Sequence, residues 1–245
     1  MALATFNHKS KILKRSVSFY GAFPDSPSGK FRTLYLLHGL SDDYSTWVKN
    51  SSIVRYAEKR GIAVIMPEGG RSFYTDMAYG PRYYSYIIKE LIDYTRKIFN
   101  LSDKREDTFA AGLSMGGYGA FKFALGNPDV FAGAASLSGC LDVAGDLIGR
   151  HNNRETEYML VTGGEDATGT ENDLFYLADH YEKPESLKLF QTCGTGDFLY
   201  DDNLSFREFI KDKGFAYKYS EYPGVHNWDF WDGHIEEAID YLFET

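Results

Sequence analysis

The feature that most constrains the fold is an alternation between short, continuously apolar runs and longer amphipathic stretches. Thr33–Leu37 is one such run, ended by His38-Gly39, and Ile62–Met66 is another, ended by Pro67. A run that is apolar at every position predicts a strand buried on both faces of a sheet. Strands alternating with helices form βαβ units, which predicts an α/β fold with a mostly parallel central sheet and helices on both faces.

Further elements follow from hydrophobic periodicity and from the positions of Gly and Pro. Strands are also predicted at Ala2–Asn7, Ser16–Phe23, Asp107–Gly112, Phe131–Leu137, Leu187–Cys193 and Ala216–Tyr222, with a turn at 26–29 after the second of these. Helices are predicted at Ile53–Arg60, Tyr83–Phe99, Met115–Leu125, Leu204–Lys213 and Ile235–Phe243. Because no linker rich in Pro, Gly or Ser divides the chain, we expect a single domain over residues 1–245.

Composition and charge exclude several classes of protein. The 245 residues include 26 basic and 35 acidic side chains, a net charge of −9, which disfavours nucleic acid as a partner. No run approaches the roughly 18 apolar residues of a membrane helix, so no membrane partner is expected. The N-terminus does not resemble a signal peptide, and the only cysteines are Cys140 and Cys193. We therefore expect a cytoplasmic protein with buried thiols.

The most informative motif is G-x-S-x-G, centred on Ser114 between a predicted strand and a predicted helix. The glycines at 112 and 116 allow the chain to turn abruptly, because a Cβ there would meet neighbouring segments. The turn exposes the serine Oγ at the carboxyl edge of the sheet, on a helix N-terminus. Ser114 is therefore the predicted nucleophile of an acyl transfer.

A nucleophilic serine needs a base, and the base needs an orienting carboxylate, in the chain order Ser, Asp or Glu, His. Among six histidines we choose His226, because it lies in a loop after the last predicted strand, whereas His234 is expected to be a packing or solvated residue. The acid is predicted to be Asp197, directly after an apolar strand. Asp166, which also follows a short apolar run, is the rival.

The developing oxyanion needs two donors. The backbone N–H of Met115, the residue after the nucleophile, is one, and the N–H of Leu40, in the loop after an early strand, is the other. His38 is expected to brace this loop rather than to titrate in catalysis. Two segments that break the alternation, 68–81 and 141–186, are expected to be excursions above the sheet that wall a substrate pocket, with Tyr158–Thr162 as a short strand.

Aromatic residues are expected to line that pocket. The candidates are Trp47, the stretch Phe73–Tyr84 and Trp228, which is close in sequence to the predicted base. A pocket of this kind favours neutral acyl groups and planar aromatic acids over charged ones. The alternative is that these aromatic residues only pack the excursions onto the sheet.

Four motifs occur in a fixed order along the chain: Leu37-His38-Gly39-Leu40, Gly112-Leu113-Ser114-Met115-Gly116-Gly117-Tyr118-Gly119, Cys193-Gly194-Thr195-Gly196-Asp197-Phe198-Leu199 and Gly224-Val225-His226-Asn227-Trp228. Together they resemble the esterase D family, and within it the bacterial tributyrin esterases. The resemblance spans about residues 2–243 and implies the α/β-hydrolase fold. It also implies a Ser114, Asp197 and His226 triad, and Leu40 and Met115 as oxyanion donors. The wider family includes S-formylglutathione hydrolases, feruloyl and acetylxylan esterases and mycolyltransferases.

These observations predict a serine carboxylesterase acting on short acyl esters, from acetyl to butyryl or hexanoyl, with feruloyl-type esters as further substrates. The alternatives are a thioesterase of the S-formylglutathione hydrolase type, an acyltransferase, and a non-catalytic binding module on the same fold. No metal-ligand spacing and no Gly-rich phosphate loop is present in the sequence, so neither metal nor cofactor is expected. The expected partner is a small-molecule ester, and assembly into a homo-oligomer is left open.

Overall fold

One eight-stranded sheet forms the centre of the computed structural model, which describes residues 1–25, 29–145 and 155–244. Its strands are β1 (Ala2–Ser10), β2 (Arg15–Phe23), β3 (Thr33–Leu37), β4 (Ala63–Pro67), β5 (Thr108–Leu113), β6 (Gly133–Leu137), β7 (Lys188–Gly194) and β8 (Ala216–Tyr222). Their order across the sheet is β1-β2-β4-β3-β5-β6-β7-β8. The predicted turn at 26–29 lies mostly outside the described residues, since 26–28 are not among them.

The central part of the sheet is parallel, and this brings the ends of distant strands together. Strands β4, β3, β5, β6, β7 and β8 run parallel to one another, while β1 and β2 form an antiparallel hairpin whose β2 pairs antiparallel with β4. Leu37 pairs with Gly112, and Leu113 pairs with Leu137. The segments that follow β3, β5, β7 and β8 therefore meet at the same carboxyl edge, where ligands bind in open α/β sheets.

Helices cover both faces. Their bounds are α1 (Thr46–Asn50), α2 (Ile53–Arg60), α3 (Tyr83–Ser85), a π-helical stretch at Tyr86–Leu91, α4 (Ile92–Ile98), α5 (Met115–Gly126), α6 (Val143–Gly145), α7 (Glu155–Thr162), α8 (Leu174–Asp179), α9 (Tyr200–Ile210) and α10 (Trp228–Phe243). Single turns of 3₁₀-helix stand at Arg105–Asp107 and Pro184–Ser186. The predicted arrangement of a mostly parallel sheet between two helical layers is confirmed.

Alternate side chains of each central strand enter two different hydrophobic cores. On β3, Leu34 and Leu36 join α1, α2 and α10 on one face. Tyr35 and Leu37 face the other core, with α5, α9 and the helical run from Tyr83 to Ile98. Every residue of β3 is buried, as the continuous apolar run predicts. Burying each large apolar side chain contributes about 1.5–3 kcal/mol, so both faces hold the sheet in place.

Three predicted elements differ from the observed ones. Tyr158–Thr162 is part of helix α7 and not a strand. Tyr158 and Val161 turn inward while Met159 and Leu160 are exposed, which is the pattern of a helix face and not of strand alternation. Helix α10 begins at Trp228, seven residues before the prediction, because the side chain of Asn227 caps it by accepting the N–H of Phe230. Helix α9 begins four residues earlier than predicted.

Candidate active site

The turn from β5 into α5 holds Ser114 in a strained backbone conformation, with φ 53° and ψ −119°. A Cβ on Gly112 would stand 2.3 Å from the carbonyl oxygen of Gly116, and a Cβ on Gly116 would stand 2.4 Å from that of Leu37. Only glycine fits at either position, which is the physical reason for the spacing of the motif. The serine is placed at the carboxyl edge of the sheet, immediately before the first turn of α5.

Ser114, His226 and Asp197 form one hydrogen-bonded chain. The His226 Nε2 lies 2.9 Å from the Ser114 Oγ. The His226 Nδ1 lies 2.9 and 3.0 Å from the two Asp197 carboxylate oxygens. Because a carboxylate only accepts, Nδ1 carries the proton, and Nε2 is left to accept the serine hydroxyl. This is the arrangement in which a histidine can remove the proton of a serine.

Backbone bonds between two loops place the acid and the histidine. The N–H of Gly196 donates to the carbonyl of Gly224 at 2.9 Å, which ties the loop after β7 to the loop after β8. The Asp197 side chain is fully buried, and its Oδ1 also accepts the N–H of Leu199 at 2.9 Å. The carboxylate therefore has two fixed donors, which hold it against the His226 ring.

The rival residues lie elsewhere. Asp166 is exposed and accepts the N–H of Thr168 at 2.9 Å, so it takes part in a local turn. His234 stacks on the ring of Tyr222 with centroids 4.2 Å apart, which agrees with the packing role predicted for it. Another of the six histidines, His151, lies outside the described residues.

The two backbone N–H groups predicted to stabilise an oxyanion lie beside the serine. Met115 is the first residue of α5 and follows the serine, and Leu40 lines the cavity next to it. Within the described part of the chain neither amide has a hydrogen-bond acceptor. The N-terminus of α5 adds the positive end of its dipole at the same point.

His38 fixes the peptide that carries one of these amides. The N–H of Gly69 donates to the His38 Nε2 at 2.9 Å, so the ring proton is on Nδ1, which donates to the carbonyl of Gly39 at 2.7 Å. In a trans peptide the carbonyl and the following N–H point in opposite directions. Holding the Gly39 carbonyl toward His38 therefore turns the Leu40 N–H away from it, as the predicted bracing role requires.

A cavity of about 440 Å³ opens beside the serine. Its lining residues are Gly39, Leu40, Ser41, Asp42, Leu113, Ser114, Phe198, His226, Asn227, Trp228 and Trp231. Trp228 is thus in the wall, as predicted. A larger cavity of about 530 Å³, beside Arg105 and Lys183, contains none of the three hydrogen-bonded residues. The volume beside Ser114 is in the range of small-molecule sites.

The expectation that Trp47 lines the pocket is wrong. Trp47 is 1% exposed, donates its indole N–H to the Leu37 carbonyl at 2.9 Å, and packs edge-to-face beneath Trp228 with ring centroids 5.0 Å apart. It supports the wall from below because its position on α1 faces the sheet. Neither the stretch Phe73–Tyr84 nor the described residues of 141–186 supply a lining residue.

The aromatic residues of the 68–81 excursion pack inward instead. Phe73 and Tyr74 are fully buried and contact Tyr118 and Phe123 of α5 edge-to-face. The Tyr74 hydroxyl donates to the carbonyl of His38 at 3.0 Å. These rings therefore pack against the loop of residues 38–43 that carries Leu40, called the oxyanion loop below. This agrees with the alternative that these aromatic residues pack the excursion onto the sheet.

Phe198 and Trp231 are wall residues that the sequence reasoning missed. Phe198 is 53% exposed and its ring lies 4.5 Å from that of His226, while Trp231 meets the same ring at 4.9 Å and 90°. Both could have been found from spacing. Phe198 follows the acid directly, and Trp231 lies three residues after Trp228, on the same face of α10.

Other features of the described chain concern metals, thiols and membranes. Across residues 1–25, 29–145 and 155–244, no group of three His, Cys, Asp or Glu side chains is placed to hold a metal ion. Cys140 and Cys193 are buried thiols without a disulfide, as predicted, and burial raises the pKa of Cys193 well above its usual range. No helix in the same residues is long and apolar enough to cross a membrane.

Comparison with known proteins places this geometry in a family. The model of the "Putative esterase" family matches residues 10–242. An acetyl esterase of Caldicellulosiruptor saccharolyticus is 34% identical over 261 aligned residues, covering 99% of this chain and 98% of that protein.

Two solved structures from Staphylococcus aureus are similar over nearly the full chain. The fluorophosphonate-binding serine hydrolase FphF, with substrate bound, has a TM-score of 0.92 and 36% identity, covering 100% of this chain and 99% of that one. The S-formylglutathione hydrolase FrmB has a TM-score of 0.87 and 37% identity over 98% of each chain. The chain therefore belongs to this esterase family, and it is a carboxylic ester hydrolase with the α/β-hydrolase fold.

Proposed function

We propose that this protein is a serine carboxylesterase that hydrolyses esters of short acyl groups, from acetyl to butyryl or hexanoyl. Ser114 acts as nucleophile, His226 as general base and acid, and Asp197 as the orienting carboxylate. The observation that carries the proposal is the continuous chain of hydrogen bonds from Ser114 to Asp197 beside an accessible cavity. The acetyl esterase relative supports the short acyl range.

The reaction follows from the tautomer of His226. As the Ser114 Oγ attacks the ester carbonyl, its proton passes to the unprotonated Nε2, and the buried Asp197 carboxylate stabilises the imidazolium that forms. The N–H groups of Leu40 and Met115 stabilise the oxyanion of the tetrahedral intermediate. The intermediate then collapses: the bond between the acyl carbon and the leaving oxygen breaks, His226 donates its proton to that oxygen, and the alcohol leaves an acyl ester of Ser114 behind.

Hydrolysis of the acyl-enzyme repeats these steps with water. His226 takes a proton from the water that attacks the acyl carbon, and a second oxyanion forms at the same two amides. Collapse of this intermediate transfers the proton from His226 back to Ser114 and releases the carboxylic acid. Every group returns to its starting state, so no cofactor is consumed.

The size and chemistry of the cavity support a preference for small, neutral acyl groups. A volume of about 440 Å³ has to hold both halves of the ester, which limits the length of the acyl chain. Apolar surface that stabilises an acyl chain or a planar feruloyl group, by about 25 cal/mol per Å² buried, is supplied by Leu113, Phe198, Trp228 and Trp231.

The free thiols of Cys140 and Cys193 are compatible with the reducing cytoplasm, which we propose as the location.

A panel of p-nitrophenyl esters from acetyl to octanoyl, extended with methyl ferulate, tests the proposed substrate range. We expect kcat/KM to be highest between acetyl and hexanoyl and to fall at octanoyl, because the longer chain exceeds the cavity. A maximum of kcat/KM at octanoyl would contradict the proposed range. So would a preparation that reacts with a fluorophosphonate but turns over none of the p-nitrophenyl esters.

A second candidate function is hydrolysis of the thioester S-formylglutathione. It is favoured by the 37% identity to the S. aureus S-formylglutathione hydrolase. The same three residues would carry the reaction, with a thiol as leaving group. Comparing kcat/KM for S-formylglutathione and p-nitrophenyl acetate in one preparation separates the two, since the proposed carboxylesterase turns over the oxygen ester more efficiently.

A further inference from the structure

The wall of the cavity beside Ser114 has an uneven charge. Of its eleven lining residues, Asp42 alone has a carboxylate, and none is Lys or Arg. In the resting site His226 carries a proton on Nδ1 alone and is neutral, so Asp42 supplies the formal charge of the wall. A second carboxylate, Asp197, is buried directly behind the His226 ring. An incoming substrate therefore meets two negative charges and no lining cation.

Asp42 is held in this position by the oxyanion loop itself. Its N–H donates to the carbonyl of Gly39 at 3.2 Å. The Oδ2 stands 3.2 Å from the point where a Cβ on Gly39 would be. The side chain is thus fixed two residues after Leu40, whose amide is a proposed oxyanion donor.

The surroundings of Asp42 do not neutralise it. Burial raises the pKa of the Asp42 carboxyl, and the Gly39 backbone opposes part of that shift. His38 is neutral in its hydrogen-bonded tautomer. Asp43 adds a further negative charge, and its carboxylate is used locally to accept the N–H of Ser45 at 2.7 Å. The Asp42 carboxylate therefore faces the cavity with no cationic side chain among the lining residues.

We propose that Asp42 is a specificity-determining residue that makes the site select neutral or cationic esters and reject anionic ones. The inference rests on the proposed function, because it places the ester at Ser114. In a cavity of about 440 Å³, any charge near the ester lies within a Debye length of Asp42, which is about 8 Å at physiological ionic strength. The physiological substrate is then an ester without net negative charge, and S-formylglutathione, with two carboxylates and one ammonium, is disfavoured.

Three acetyl esters that differ only in the para group of the leaving phenol test this directly. They are 4-acetoxybenzoate, its neutral methyl ester, and the cationic 4-acetoxyphenyltrimethylammonium. For each enzyme, kcat/KM for the charged ester is divided by kcat/KM for the neutral one at pH 8. Comparing these ratios between variants cancels the different reactivities of the three leaving groups.

We expect Asp42→Asn to raise the anionic-to-neutral ratio about tenfold and to lower the cationic-to-neutral ratio by a similar factor, as for unit charges about 6 Å apart at an intermediate dielectric. Asp42→Lys moves both ratios further in the same directions. Asp43→Asn is the matched control, since it removes the same charge one residue away, from a side chain outside the cavity wall. Its ratios are expected to move in the same directions by a smaller factor than those of Asp42→Asn.

The salt dependence of the wild-type enzyme gives a readout that needs no variant. Raising the ionic strength from 0.01 to 1 M shortens the Debye length from about 30 to 3 Å, so kcat/KM should rise for the anionic ester and fall for the cationic one. Unchanged ratios in Asp42→Asn, or equal salt dependence for all three esters, overturn the role of Asp42. Fluorophosphonate titration of each preparation shows separately whether the Ser114 chemistry is intact.

Discussion

The carboxyl edge of the sheet and the excursion at 155–186 are held in place by different kinds of contact. At the edge, backbone meets backbone. The N–H of Ser114 donates to the carbonyl of Leu137 at 2.9 Å, and Gly112 and Gly116 leave no space for a Cβ. The positions of the reactive groups therefore depend on main-chain geometry, which few substitutions can preserve.

The excursion is attached by fewer backbone bonds, from the N–H groups of Ala78 and Tyr79 to the carbonyls of Val161 and Leu160, and by several side chains. The Tyr118 hydroxyl donates to the carbonyl of Asn172 at 2.8 Å, and Lys122 donates to the side chain of the same asparagine. Arg71 pairs with Glu157 farther along. Contacts of this kind can be exchanged one at a time. We therefore expect changes at the carboxyl edge to affect catalysis. Changes in the side-chain contacts that attach the excursion should affect stability alone.

The largest effect is expected at the serine itself. Ser114→Ala removes the nucleophile, and kcat for p-nitrophenyl butyrate should fall by about 10⁶-fold, since triad members act as a unit. Ser136→Ala is the matched control, because its buried hydroxyl has no hydrogen-bond partner among the described residues and its loss should change kcat by less than about twofold. Substantial activity in a homogeneous Ser114→Ala preparation would show that the nucleophile lies elsewhere.

The next largest effect separates the two carboxylates considered in the sequence. Asp197→Asn lets the amide donate to Nδ1 and so favours the wrong His226 tautomer, which should cost about 10⁴-fold in kcat. Asp166→Asn changes only an exposed turn and should leave kcat within about twofold. If the two variants rank in the opposite order, the hydrogen bond between His226 and Asp197 is not the catalytic one.

A smaller effect is expected behind the oxyanion loop. His38→Phe keeps a ring but removes both hydrogen bonds of the imidazole, so the Gly39–Leu40 peptide keeps only the weaker bond from the Asp42 N–H and is held less firmly. Loss of one oxyanion donor costs about 10²-fold or more in kcat, with little change in KM. Tyr74→Phe, which removes only the hydroxyl bonded to the His38 carbonyl, should cost much less. Equal losses in the two variants would point to general destabilisation of the loop.

The smallest effect concerns stability, at the attachment of the excursion. Burial lowers the pKa of Lys122 from 10.5 to about 8. Above pH 8 the folded protein releases this proton while the unfolded chain keeps it to about pH 10.5, so the contribution of Lys122 to stability increases with pH. Relative to Lys122→Met, the wild-type free energy of unfolding should rise by about 1 kcal/mol from pH 7 to pH 9.

Urea denaturation at the two pH values measures this difference. Lys97→Met, at an exposed position, is the control and should show no comparable change between pH 7 and pH 9. Activity per folded molecule should be the same in Lys122→Met and in the wild type, because the residue does not line the cavity. A loss of kcat in Lys122→Met at unchanged stability would contradict the expectation that the contacts of the excursion affect stability and not catalysis.

The contrast between the carboxyl edge and the excursion also explains which features could be predicted from the sequence. At the carboxyl edge each prediction rested on local chemistry: glycines around Ser114, a histidine after one strand, an acid after another. Those residues are brought together by the parallel strand order. The strand predicted at Tyr158–Thr162 and the wall position predicted for Trp47 depended instead on long-range packing. Whether an apolar residue faces a pocket or a core is decided by which helix covers it, and short periodicity does not contain that information.

The central claim is that Ser114 is acylated during turnover, and covalent labelling tests it most directly. The wild-type protein is treated with a fluorophosphonate, its intact mass is measured, and the modified peptide is identified by tandem mass spectrometry. We expect a single adduct on Ser114, formed at a rate that matches loss of esterase activity, and no adduct on Ser114→Ala. An adduct on another residue, or full loss of activity with Ser114 unmodified, would contradict the proposed mechanism.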